Sequence, residues 1–369
     1  MLLSFHSVHQ PRCGVCGKHC KSFESLREHI TGPLAKANCS TVFSERGCNL
    51  CLRLLDSITS LNEHKELCCF SAPAPLGTIK LPYAVSQIDV SDSNGENLIE
   101  RGPEAIAMDC EMVGGGSDGS LDLCARVCLI DENEKLLFHA YVEPPISVTN
   151  YSGAALLTHV FLVVTRYEVT GLTEEHLRNA MPLKEVQEKI LQILYNGESI
   201  GRIRVLSDGG KARLLVGHNI EHDLDCLRMN YPNHLLRDTA KYHPLMKTNL
   251  VSHSLKYLTR TYLGQVAHLC CLIDLIDFVL LYDIQTGFHD PYEDCVSVMR
   301  LYKRMRDLEH HKESIEGSFA THGSQNHFNN FTSWNTKELE KMTPDELYQL
   351  SRSNYRCWCL DQGQNTDNN

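Results

Sequence analysis

Cys13 and Cys16 are separated by two residues, and His29 follows after twelve more; Cys48, Cys51 and His64 repeat the same spacing. Two thiolates on a tight turn grip one side of a zinc ion while a helix brings an imidazole to the other, so the repeat reads as two zinc-binding units. Cys68 is the fourth ligand of the second unit, with Cys69 as its alternative. In the first unit the candidate is Cys39, across a long gap that Gly32-Pro33 must turn. A cluster of reduced thiols is the competing reading. Zinc would supply folding energy on the order of 10 kcal/mol to units too small to build a core.

A second chemistry lies in carboxylates that interrupt apolar sequence. The stretch Ala105 to Val113 is apolar almost throughout and predicts a buried strand, yet it carries Asp109 and Glu111. At i and i+2 on a strand both side chains leave the same face. Two buried like charges cost several kcal/mol unless a cation neutralises them, which points to a divalent metal site; an edge strand with one solvated face is the alternative.

Further carboxylates sit at helix starts. Arg213 to His218 predicts a strand, Asn219 a cap, and Asp223 the end of the following helix's first turn, with Asp225 as rival. His218 and His222 read as structural hydrogen-bonding groups rather than ligands. Asp290 as cap, Pro291 as first helical residue and Glu293 after them mark another helix start. That places Asp294 in a first turn and His289 just before the cap, a metal ligand beside a general base.

These residues need elements to hold them. Helices are predicted from Ser22 to His29 and from Ser57 to His64, with Cys20 and Leu26, then Leu55 and Leu61, at matching apolar offsets. Gly114 to Gly116 read as a hairpin connection, because no Lys-Ser/Thr follows to make a phosphate cradle. The runs from Cys124 to Ile130 and from Leu136 to Val142 complete three antiparallel strands opening an α/β unit. The late helix continues through Val298, Leu301 and Tyr302.

Asp109-x-Glu111, Asp223 and His289-x4-Asp294 together resemble the DEDDh branch of the 3′→5′ exonuclease superfamily. The wording Asp109-Cys110-Glu111-Met112-Val113-Gly114, Val216-Gly217-His218, Arg237-Asp238-Thr239 and Ser254 to Leu258 is similar to the RNA exonuclease 4 and apoptosis-enhancing nuclease group. The paired zinc fingers and the tail Ser353 to Cys359 resemble its plant-type members. The resemblance implies an RNase H-like α/β fold with a mixed sheet, preceded by two small zinc fingers. It implies that Asp109, Glu111 and Asp294 hold one Mg²⁺ or Mn²⁺, that Asp109 bridges to a second ion supported by Asp223, and that His289 deprotonates the attacking water. The implied substrate is single-stranded RNA, with DNA as the alternative, and the implied location is the nucleus or nucleolus, with the cytoplasm as a second choice. A rival class is a nucleic-acid- or protein-binding adaptor with an impaired nuclease domain.

Composition bounds these readings. Among 369 residues, 35 are basic and 46 acidic, net −11, which taken alone argues against phosphate contact. Residues 1–80 hold nine basic and six acidic residues, net +3, leaving −14 for the remainder. Mild positive charge favours nucleic acid over protein docking for the fingers. The 17 cysteines are odd in number and Met1 to Arg12 lacks a signal-peptide core, so a reducing compartment is expected. No long uncharged apolar run predicts a membrane span.

The expected organisation is tandem C2HC-type fingers over 10–70, a linker over 71–103, an exonuclease domain over 104–308, a polar linker over 309–341, and a short helix and tail over 342–369. Cys357 and Cys359 read as packing residues rather than a metal pair. Two apolar stretches, 152–165 and 265–281, depart from the resemblance and read as insertions, either retained intron sequence or a genuine extra element.

Overall fold

The computed structural model describes residues 11–76, 104–150, 169–205, 210–264, 282–308 and 356–362. Both apolar insertions, most of the first linker, the polar linker and the expected helix after Thr343 lie outside them.

Each Cys/His unit is a short hairpin followed by a helix. Bridges Arg12↔His19 and Gly47↔Leu54 close the hairpins. The turns match residue for residue: Gly17 N–H donates to Cys13 O, Leu52 N–H to Cys48 O, and Gly17 and Leu52 share positive φ angles of 71° and 59°. Ser22 caps α1 (Phe23–Thr31) through Ser25 N, and Ser57 caps α3 (Ile58–Cys68) through Ser60 N. Between them α2 (Ala37–Arg46) carries Cys39. Sequence reasoning missed this helix, and it is what spans the long gap after His29.

The larger part is a mixed sheet. β1 (Ala105–Gly115), β2 (Leu121–Ile130) and β3 (Leu136–Glu143) form the expected antiparallel run, and β4 (Val148–Asn150) pairs the end of β1. The strand β5 (Met181–Pro182) joins β3 in parallel, while β6 (Leu214–Gly217) and β7 (Leu236–Asp238) extend the other side of β1, also in parallel. The order is β5-β3-β2-β1-β6-β7. Gly114 and Gly115 are a correction to the hairpin reading: both lie within β1 and pair with β2 and β4 at once. A Cβ on Gly115 would come within 2.3 Å of the Leu123 Cδ1 methyl, so any larger residue there must displace that side chain.

The amphipathic helix α5 (Leu183–Tyr195) buries Val186, Ile190 and Leu194, spaced four apart, against β3 and β5. Among the described residues the longest helix, α9 (Pro291–Arg306), is buried along most of its length and packs across β1, β2 and β6. Among the described residues, four shorter helices complete the frame: α4 (Glu174–Leu177) contacts β3, α6 (Ile200–Val205) follows α5, α7 (Ile220–Cys226) contacts β1 and β2, and α8 (Leu255–Tyr262) packs on α9.

The Cys/His units dock on this frame rather than standing apart from it. Phe23 packs edge-on against Tyr262, and Arg27 lies over the same ring. Glu24 accepts from Thr248 N at 2.9 Å. Phe70 N–H donates to Leu263 O, Arg304 donates to Cys68 O, and the Phe70 ring lies under both Arg300 and Arg304.

The tail is equally integrated. Trp358 stacks on Tyr242 at 3.9 Å, and Cys357 is buried beside the Tyr242 hydroxyl. Arg237 on β7 donates two hydrogen bonds of 2.7 Å to Asp361, which also accepts from Tyr302 on α9. Removing one partner of a buried pair strands the other charge. Asp361→Ala should therefore lose about 3–5 kcal/mol of unfolding free energy in urea titrations; a loss below about 1 kcal/mol, the scale of an exposed pair, would contradict this role.

Candidate active site

The site forms where β1 meets the start of α9. Glu111, His289 and Asp294 each offer a donor atom within 4.8 Å of the others. Asp109 and Glu111 leave one face of β1, and the ladder with β2 shifts register between Glu111 and Met112. The extra residue, Ala125, belongs to β2, so it is β2 that bends beside the point where the carboxylates emerge. Asp290 caps α9 through Tyr292 N at 3.1 Å, Pro291 occupies the first turn, and Asp294 follows as the sequence predicts. His289 N–H donates to Val169 O at 2.6 Å, fixing the backbone just before the cap.

Asp109 and Asp223 lie outside the closest group but within its electrostatic field. Burial pushes the Asp109 carboxyl well up, and the charges of Asp294, Asp223 and Glu111 push it further. Burial likewise raises Glu111, with Asp294 adding to the rise and Arg126 opposing it. Asp223 is raised by burial and by Asp238, while a hydrogen bond from the Cys110 backbone restrains the rise. Asp294 is pushed up to about 7 by burial, which outweighs its bond from Gln285. Glu293 also rises to about 7, for burial first and then the neighbouring Asp290 and Asp294.

One carboxylate is only half paired. Asp294 Oδ2 accepts from Gln285 Nε2 at 2.9 Å, while Asp294 Oδ1 is buried with no hydrogen-bond partner. A buried carboxylate oxygen without a hydrogen-bond partner, on a residue grouped with Glu111 and His289, suits a hard divalent cation. The imidazole of His289 is lowered by burial and by Lys256, which keeps it neutral near pH 7 and able to accept a proton.

The rival assignments separate cleanly. Asp223 is buried at 5% exposure whereas Asp225 is exposed, so only the former faces the site. His218 Nδ1 bonds Thr239 Oγ1 at 2.9 Å, a structural role, and His222 pairs with Asp122 at 3.2 Å. Asn219 is a correction: it adopts left-handed φ of 60°, its side chain makes no cap bond, and its N–H donates to Asp238 Oδ1.

The Cys/His groups assemble as Cys13, Cys16, His29 and Cys39, and as Cys48, Cys51, His64 and Cys68. Cys16 Sγ lies 3.3 Å from His29 Nε2, Cys51 Sγ 3.2 Å from His64 Nε2, and Cys48 Sγ 3.8 Å from Cys68 Sγ. Those are close to the edges of a tetrahedron built on zinc bonds of about 2.0–2.3 Å. Cys69, the alternative ligand, instead contacts Phe70 O.

Sequence reasoning missed Gln285, Lys256 and Arg126, all of which act on the site. Arg126 carried a readable signal, being the lone charge in an apolar strand run, as Asp109 and Glu111 are in theirs.

No protein-family model matches the chain. It is similar to proteins named RNA exonuclease 4. The one from Saccharomyces cerevisiae is 31% identical over 229 residues, covering 62% of this chain and 63% of that one. The one from Candida glabrata is 28% identical over 236 residues, covering 62% of this chain and 72% of that one. The human one is 30% identical over 200 residues, covering 54% of this chain and 36% of that one. The chain thus spans less than two thirds of the yeast relative and about a third of the human one. Among solved structures, the Neurospora crassa Pan2 catalytic unit aligns with a TM-score of 0.37 and 18% identity over 58% of this chain and 28% of that one, too slight a likeness to bear on fold or activity. Among the described residues, no helix is long and apolar enough to cross a membrane.

The raised Asp294 carboxyl makes a linkage prediction. Between the ordinary aspartate value of 3.8 and about 7, the folded chain keeps a proton that the unfolded chain has released. Its contribution to stability is present below that window and is lost as pH rises through it. The lowered histidines His139, His218 and His289 act in the opposite direction; the difference between Asp294→Asn and the parent removes their contribution and reports the Asp294 charge together with its push on Asp109 and Glu111. In buffer free of Mg²⁺ and Mn²⁺, the Tm advantage of Asp294→Asn should grow from acid to neutral pH. A constant difference across the window would contradict the assignment.

Proposed function

We propose that this chain is a metal-dependent 3′→5′ exonuclease that releases nucleoside 5′-monophosphates from single-stranded RNA, with DNA as a secondary substrate. The observation that carries the reading is the meeting of Glu111, His289 and Asp294, with the orphaned Asp294 Oδ1 among them. The names of the similar yeast and human proteins support the choice of RNA and of exonuclease chemistry. The intact set of Asp109, Glu111, Asp223, His289 and Asp294 favours an enzyme over an adaptor.

In this reading Asp109, Glu111 and Asp294 hold one Mg²⁺ or Mn²⁺, and Asp109 with Asp223 supports a second. When bound, the pair supplies positive charge that stabilises the attacking and leaving oxygens of an in-line phosphodiester displacement. His289, neutral near pH 7, takes a proton from the attacking water through its imidazole. Val169 O fixes its backbone, and Lys256 disfavours the protonated ring. Gln285 holds one oxygen of Asp294, and the other, which has no hydrogen-bond partner, would be available to a cation.

The two Cys/His groups hold structural Zn²⁺ in this reading. Since α1 docks on Tyr262 and the α8 residue Lys256 reaches Gln285 O, the folded fingers support the same wall that holds Asp294. Any contact they make with RNA adds to that structural role.

Oligomers of RNA and DNA labelled at either end test the reading. With Mg²⁺ or Mn²⁺ the protein should release mononucleotides from the 3′ end, faster from RNA. Asp109→Ala should abolish release, and His289→Ala should slow it by about 10²–10⁴-fold, the scale of general-base loss. Release beginning at the 5′ end would overturn the polarity, and an Asp109→Ala variant as active as the parent would overturn the site.

A further inference from the structure

Arg126 is the only basic residue on β2, and its place in the ladder is directly opposite Glu111. Its side chain is 12% exposed. Nη2 donates to Asp290 Oδ2 at 3.0 Å, Nε donates to His139 Nε2 at 2.9 Å, and the guanidinium lies over the Tyr141 ring at 5.8 Å. His139 is lowered to about 4 by burial and by Arg126 itself, so its Nε2 lone pair is available as an acceptor near pH 7. Tyr141 stacks in turn on His176 at 5.1 Å. The guanidinium is thereby held on three sides.

Its partner is equally placed. Asp290 is 6% exposed and stands directly after His289 in the chain. One of its oxygens, Oδ1, caps α9 through Tyr292 N, and the other, Oδ2, accepts from Arg126. Asp290 thus ties the strand layer to the first turn of the helix that presents Asp294. Glu111 comes from β1, whereas His289 and Asp294 come from the α9 junction; nothing in the covalent chain fixes their separation.

We infer that Arg126 is a positioning residue of the carboxylate centre, clamping the α9 cap Asp290 to β2 so that His289 and Asp294 are held at a fixed distance from Glu111. A planar fork suits this task and an ammonium does not, because only the guanidinium can point separate N–H groups at His139 and Asp290 from one rigid plane. Nothing is asked of Arg126 toward substrate. The inference rests on the nuclease reading for its kinetic consequence, but its geometric consequence for cation binding stands separately.

The test uses the full-length zinc-loaded protein and the variants Arg126→Lys, Asp290→Asn and their combination. Asparagine is as good an N-cap as aspartate, so Asp290→Asn preserves the cap while removing the charge that Arg126 grips. The clamp predicts that each single variant lowers kcat on RNA by about 10²-fold, the cost of misplacing a reacting group by an ångström, with little change in KM. It predicts that the double variant is no slower than the worse single one, since both break one link. Mn²⁺ affinity, read by electron paramagnetic resonance without RNA, should weaken in the same variants. A role confined to helix capping or bulk stability predicts instead that Asp290→Asn is silent, or that the single effects multiply, and either result overturns the inference. If the parent protein releases no nucleotide, the nuclease reading fails and the Mn²⁺ titration decides alone: weaker binding in Arg126→Lys sustains the clamp, and unchanged binding, or no binding by the parent, overturns it.

Discussion

Like charges driven together in a low-dielectric space are the constraint around which this molecule is arranged. Asp109, Glu111, Asp223 and Asp294 are all raised by burial, and the charges of their neighbours add to the rise. Without a cation such a centre lowers stability. It persists because strong elements surround it. β1 is the central strand, buried at its start to the point that Ala105 through Met108 have no exposure, and α9 is clamped across three strands. The electrostatic cost is met by packing on either side, which is how strained functional centres are generally sustained.

The same logic accounts for what lies farther away. Bidentate pairs tie the outer parts of the chain to the two elements that bear the site. Arg300 on α9 grips Glu134 at the β2–β3 turn, and Arg237 on β7 grips Asp361 in the tail. The Cys/His units add apolar contact through Phe23 and Phe70. The Cys/His units and the tail thus brace the sheet, and the charge difference between the first 80 residues and the remainder marks two chemistries.

Much of this was legible because chemistry leaves residues in the wrong company. Carboxylates in an apolar strand announced Asp109 and Glu111, and the Asp290-Pro291 start announced the helix of Asp294. The repeated spacing announced both Cys/His groups. What could not be read depends on long-range placement. Asp223 was preferred to Asp225 from the sequence, and α7 buries the first and exposes the second, but Asn219 loses its expected capping role to a left-handed turn whose N–H is claimed by Asp238. Cys39 was nameable, but the helix that delivers it was not, since its sequence has weak amphipathic character and no capping side chain. Asp361 lies 124 residues from Arg237, and a tail of cysteines and a tryptophan gives no local sign of a buried ion pair.

The central claim is that the carboxylates converge on a divalent cation. Anomalous diffraction from crystals grown with Mn²⁺ tests it most directly. The account predicts a peak bounded by the Glu111 and Asp294 carboxylates, with Asp294 Oδ1 in its coordination shell and Asp109 adjoining. A map with no peak there at saturating Mn²⁺, or with manganese held elsewhere while Asp294 Oδ1 stays unpaired, would contradict it.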